Sequence, residues 1–95
     1  MSADNAAEWR PNTQFLEADI GNELSLYDPS TERVVILNQT ASDVWRLLDG
    51  HTSIERVVDL LAKVYGTDAK SIRGDVESVL AKFEEEGLVE QAVTS

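Results

Sequence analysis

The sequence contains no cysteine, so it has neither a disulfide framework nor a thiolate metal site, and its folding needs no oxidising compartment. It also lacks any apolar run near the ~18 residues of a membrane-spanning helix. Residues 1–12 are polar and carry no signal-peptide core. A cytoplasmic chain, mature as written, is the expectation. Histidine occurs once, as His51, which excludes a usual zinc site and any catalytic triad built around an imidazole. Within Gly50-His51-Thr52 it reads as an exposed turn residue. No glycine-rich phosphate loop is present. Basic residues are scarce: 8 Lys and Arg stand against 18 Asp and Glu, a formal net charge of −10. Binding to duplex nucleic acid draws most of its non-specific affinity from phosphate neutralisation, so a polyanion is a poor partner for this chain. Anionic lipid is disfavoured on the same ground. A basic peptide or protein surface remains open, as does a plain role for the acidity in solubility.

What is present is one domain's worth of patterning, 95 residues in all, enough for a single modest core. Residues 1–13 lack periodicity and read as a flexible lead-in, in which Trp9 is the one residue able to dock. From Gln14 to Ile20, Phe15, Glu17 and Asp19 alternate with Leu16, Ala18 and Ile20, the mark of a strand half-exposed to water. Gly21-Asn22 supplies a tight hairpin turn into a return strand carrying Leu24 and Leu26. Asp28-Pro29-Ser30-Thr31 reverses the chain again, with Pro presetting φ and Asp capping its own backbone. Arg33 to Leu37 then forms a third strand whose apolar residues occupy both faces.

A helical half follows. Thr40 to Asp49 is a helix with Asn38 or Thr40 as N-cap, Asp43 where a capping-box acid would sit, Trp45 as anchor and Gly50 as stop. The second helix opens at Thr52 with Glu55 three residues on, carries Ile54, Val57, Val58, Leu61 and Val64, and ends at Gly66. The third opens at Thr67 or Asp68, carries Ile72, Val76, Val79, Leu80 and Phe83, and ends at Gly87. Gly74 inside it costs ~1 kcal/mol relative to alanine. Residues 91–95 read as a frayed tail, leaving a folded domain over 14–90.

Three strands followed by three helices define an α+β domain, a three-stranded antiparallel β-meander with helices on one face. A helix-turn-helix pair beside a hairpin is winged-helix-like, an arrangement that often reads DNA. Here the third helix offers Lys70, Arg73 and Lys82 against Asp68, Asp75, Glu77, Glu84, Glu85 and Glu86, the wrong balance for a major groove. The acidic run Glu84-Glu85-Glu86 spreads around a helix end and reads as a solvated face, not a paired acid and base. No catalytic residue, metal ligand or cofactor is assigned, and the chain is read as non-enzymatic.

The pattern Leu37-Asn38, Thr40-Ala41, Val44-Trp45, Leu47-Leu48-Asp49-Gly50, then Ile54, Val57, Val58, Leu61, Tyr65-Gly66, Asp75-Val76, Leu80 and Gly87-Leu88 resembles the PqqD-like family. The resemblance spans Phe15 to Glu90, and its most distinctive part is the leucine-asparagine step into an alanine-tryptophan helix. Phe83 stands where leucine is more usual, a change that a core absorbs by repacking. Family members are RiPP recognition elements (RREs), small adaptors for precursor peptides that are ribosomally synthesised and post-translationally modified. The resemblance implies a peptide chaperone that takes the leader segment as an added strand along the third strand, beside the third helix, and presents it to a separate modifying enzyme. Radical S-adenosylmethionine proteins, cyclases and peptidases are such enzymes.

Mapped onto this sequence, the resemblance places the dock at Arg33, Val34, Val35, Ile36 and Leu37, with Ile72, Val76 and Val79 as groove and Arg73 and Lys82 facing acidic leader residues. Two apolar faces on Arg33 to Leu37 are also what a central strand or a dimer interface would carry. A winged-helix DNA-binding or regulatory domain and a structural dimerisation module are therefore the alternatives. A monomer is the expected state.

Overall fold

The turn signals of the sequence resolve into an antiparallel sheet of order β2-β3-β4, formed by β2 (Leu16–Ile20), β3 (Glu23–Asp28) and β4 (Arg33–Leu37). The structure, a computed structural model, describes residues 8–48 and 52–92. The Gly50 stop and the His51 turn lie outside the described residues. Three helices follow the sheet: α1 (Gln39–Leu47), α2 (Ile54–Tyr65) and α3 (Ala69–Glu85). The expected α+β architecture is thus the one observed.

A second, two-stranded sheet pairs β1 (Glu8–Pro11) with β5 (Val89–Ala92). Sequence reading placed residues 8–11 in a flexible lead-in and residues 91–92 in a frayed tail. Both segments are polar and gain order only from each other and from Trp9, which is buried in the common core. Asn12 completes the closure, its amide donating to the Leu88 carbonyl at 2.9 Å and its side chain to the Gly87 carbonyl at 2.6 Å.

Capping groups explain the helix boundaries. Asn38 caps α1 through a 2.8 Å bond from the Ala41 amide. Asp43, placed in a capping box by the sequence, instead accepts from the Tyr65 hydroxyl and pairs with Arg46, joining α1 to α2. Ser53, not Thr52, caps α2. Asp68 caps α3, accepting from the Ser71 amide at 2.8 Å. At the far end of α3, Gly87 takes φ 75°, which lets Leu88 donate to Phe83 and Gly87 to Glu84. These paired bonds satisfy the last helical carbonyls and drop Leu88 into the core. A Cβ on Gly74 would meet nothing within 4 Å, so no close approach accounts for that glycine.

The register places Leu24, Leu26, Val35 and Leu37 on the sheet face that packs on the helices. Trp45 stands beneath them, edge-to-face with Phe83 at a centroid separation of 5.7 Å. β2 behaves otherwise. Its Glu17 and Asp19 share the helix-facing side and are held there, Glu17 by the Trp45 indole at 2.8 Å and Asp19 by Arg46 at 2.6 Å. Its apolar residues point outward, leaving Leu16 58% and Ile20 56% exposed. Tyr27, Val34 and Ile36 continue this outer face.

Ser42, on the first turns of α1 and fully buried, binds the two halves together. Its hydroxyl accepts from the Leu24 amide at 2.9 Å and donates to the Leu37 carbonyl at 3.1 Å, standing between two residues that face each other across β3 and β4. Replacing it with alanine strands a buried donor and a buried acceptor. Ser42→Ala is expected to lower stability by about 1–3 kcal/mol, read as a lower urea midpoint at unchanged slope.

Candidate functional site

β4 is an edge strand: one side pairs with β3 and the other pairs with no described strand. In an antiparallel ladder, backbone groups point alternately to the two sides. Ser42 joins the Leu24 amide to the Leu37 carbonyl, so Arg33, Val35 and Leu37 turn their backbone groups toward β3. The amides and carbonyls of Val34 and Ile36 are left on the free side. Beside them runs an open groove of ≈ 520 Å³ between β4 and the second half of α3.

Of the ten residues assigned from the sequence, Arg33, Val34, Val35, Ile36, Leu37, Val79 and Lys82 line this groove. Ile72, Arg73 and Val76 do not. Ile72 and Val76 are 6% and 0% exposed, within the core. Arg73 turns toward α2, where it meets Glu55 at 2.7 Å, and it also pairs with Glu77 one turn further along α3 at 3.4 Å. The Glu55 bond is the main cause that raises the Arg73 pKa, and Arg73 in turn holds the Glu55 carboxyl low.

The correction has a geometric origin. The C-terminal end of α3 lies over the start of β4, where Arg33 donates to the Glu86 carbonyl at 2.7 Å and to its carboxylate at 3.2 Å. Only the second half of the helix therefore borders the groove. Ser78, Lys82 and Glu86, spaced four apart, form one row of its wall, with Val79 and Phe83 in the adjacent row. Asn38, Ala41 and Leu88 complete the lining. The four-residue spacing onward from Lys82 was the available signal for Ser78 and Glu86, whereas Asn38 and Ala41 needed the start of α1 to be placed.

Charge within the groove is mostly internal. Arg33 and Glu86 neutralise one another across one end, while among the described residues Lys82 has no carboxylate partner. The β3–β4 turn that presents Arg33 is fixed by Asp28, whose carboxylate accepts from the Ser30 hydroxyl at 2.7 Å and the Ser30 amide at 2.9 Å. The last turn residue, Glu32, takes the left-handed φ of 60°.

An open sheet edge flanked by a helix, on a three-strand, three-helix frame, defines the fold of a winged-helix-like peptide-recognition element. The sequence model described as coenzyme PQQ synthesis protein D (PqqD) matches residues 23–89. The chain belongs to the PqqD family, as a PqqD-like RiPP recognition element. A structure of TbiB1 in complex with the TbiA(beta) leader peptide superimposes with TM-score 0.76 at 22% identity, covering 90% of this chain and 99% of that one. A lasso peptide synthetase B1 complexed with its leader peptide gives TM-score 0.72 at 27% identity, covering 88% and 99%. No curated protein sequence matches the chain.

The Asp28 carboxyl is held below the ordinary carboxylate range, chiefly by the Ser30 hydroxyl bond, with burial opposing. Its stabilising effect is therefore present above the unfolded pKa of about 3.9 and is lost as pH falls through the lower folded value. Comparing urea unfolding of Asp28→Ala and the unsubstituted protein at about pH 7 and about pH 3 should show a larger deficit at neutral pH. An equal deficit at both would mean that the turn does not use the charge.

Proposed function

We propose that this protein is a non-catalytic peptide chaperone, which binds the leader segment of a ribosomally made precursor by strand addition at β4 and presents it to a modifying enzyme. The observation that carries this reading is the free side of β4. The backbone groups of Val34 and Ile36 face a groove already shaped to receive alternate side chains. An incoming extended segment satisfies those groups while its inward side chains enter between β4 and α3. Family membership and the leader-peptide complexes of the two similar structures support the same reading.

The contribution to processing is one of concentration. Once the leader is held, the downstream core segment is tethered near the enzyme, so a weakly held substrate is processed as though abundant. The enzyme is a radical S-adenosylmethionine protein, a cyclase or a peptidase, and the setting is cytoplasmic. No helix among the described residues is long and apolar enough to cross a membrane. DNA binding is disfavoured on the surface it would need, since Arg73 of α3 is engaged by Glu55 and Glu77 on a chain of net charge −10.

Titrating isotopically labelled protein with a candidate leader peptide should produce saturable amide shifts over residues 33–38 and 78–88, with α2 silent. Shifts confined to α2, or none with an authentic leader, would remove the proposal. Ile36→Pro deletes an edge N–H that no ladder bond uses, and proline is tolerated on edge strands. It should weaken leader binding about tenfold, the order expected when one backbone hydrogen bond is lost and its acceptor is left unpaired, while the far-ultraviolet circular dichroism spectrum keeps its native form.

A further inference from the structure

Pairing along β4 determines how a strand is held but not which part of it. Every non-proline residue offers the same N–H and C=O, so Val34 and Ile36 are satisfied equally well by any two alternate residues of an extended segment. A slip of one residue exchanges the faces of that segment, whereas a slip of two, about 6.7 Å, restores them. Registers two residues apart are therefore equivalent to the backbone, and only a feature of the groove can separate them.

Arg33 supplies that feature at one end. By alternation it shares the helix-facing side of β4 with Val35 and Leu37, and its guanidinium crosses to the end of α3, bonding the Glu86 carbonyl at 2.7 Å and the Glu86 carboxylate at 3.2 Å. Among the described residues no other hydrogen bond or ion pair joins β4 to α3. The accepting end is held from the other side as well, where Asn12 binds the Gly87 and Leu88 carbonyls at 2.6 and 2.9 Å. An exposed ion pair alone contributes little, but a guanidinium bonded at two points, one of them a backbone carbonyl of a capped helix end, is a fixed obstacle. Side chains of an added strand that face α3 lie opposite Arg33, Val35 and Leu37. Opposite Val35 and Leu37 they meet open groove bordered by Ser78, Val79 and Ala41, whereas opposite Arg33 they meet the bridge. Resting on the strand-addition reading, we propose that the Arg33–Glu86 bridge is an end wall that selects one register of the bound segment. In that register the helix-facing side chains fill the groove up to Arg33 and not past it, with a small residue opposite the guanidinium. Its bulk and not its charge carries the effect, since Glu86 already neutralises it.

The test uses peptides selected from a random display library against the full chain, bound to isotopically labelled protein. Register is read from nuclear Overhauser contacts between each peptide and the backbones of Val34 and Ile36. The unsubstituted protein should give one register. Arg33→Ala should give two, with Val34 and Ile36 each touching two alternate peptide residues, whereas a merely structural role for Arg33 would lower stability or affinity and leave the register alone. Tryptophan placed in the peptide opposite Arg33 should move the register two residues toward Leu37 or weaken binding about tenfold, the order of an overpacked contact. That arm uses the unsubstituted protein, so it decides the matter even where Arg33→Ala fails to fold. Two registers in the unsubstituted protein, one unchanged register in Arg33→Ala, or tryptophan accepted in place would overturn the end wall while leaving strand addition standing. Selected peptides that all bind saturably without touching Val34 and Ile36 would overturn strand addition itself, and this inference with it.

Discussion

The Ser42 hydroxyl is the point on which the arrangement of sheet and helices depends. β4 passes into α1 through the single residue Asn38, so the strand cannot shift along β3 without dragging the helix. Ser42 converts that covalent closeness into a fixed register by bonding both strands at once. A slip of one residue would exchange the faces of β4, turning Val34 and Ile36 inward and exposing Leu37. It would also exchange which backbone groups face β3 and which face the free side. One buried hydroxyl thereby decides both how the core is filled and which amides a passing peptide can reach.

The groove combines two kinds of recognition with different ranges. Main-chain pairing along Val34 and Ile36 takes any extended sequence that lacks proline at the paired positions, and it confers affinity without much discrimination. Selection has to come from the wall. There the protein cancels its own charges at one end through Arg33 and Glu86 and keeps an apolar stretch around Val79 and Phe83. The overall negative charge keeps unrelated acidic chains at a distance.

Much of the fold was legible because its signals are local. The Gly21-Asn22 and Asp28-Pro29 turns, the Asp68 cap and the glycines at 66 and 87 each act over a few residues, and they fall where the structure needs them. Two features were not local. The β1–β5 ribbon joins polar segments that gain order only when some eighty residues between them have folded, as the pairing of Glu8 with Ala92 requires. For β2, alternation told which residues share a face but not which face turns inward. The ordinary assumption that apolar residues turn inward fails because Trp45 and Arg46 offer partners to Glu17 and Asp19. The site divided in the same way: β4 could be read from its own sequence, whereas the α3 wall depended on where that helix crosses the strand. Ile72 and Val76 resemble groove residues in pattern and are core in fact.

The ribbon has a kinetic consequence. Its contacts span nearly the whole described chain, so their loop-closure entropy is the largest in the molecule, and such non-local pairing is slow to form. β5 begins one residue after Leu88, which lines the groove and is almost fully buried. Trp9 and Val89 of the ribbon share one core with Leu88, so opening the ribbon uncovers core and groove floor together.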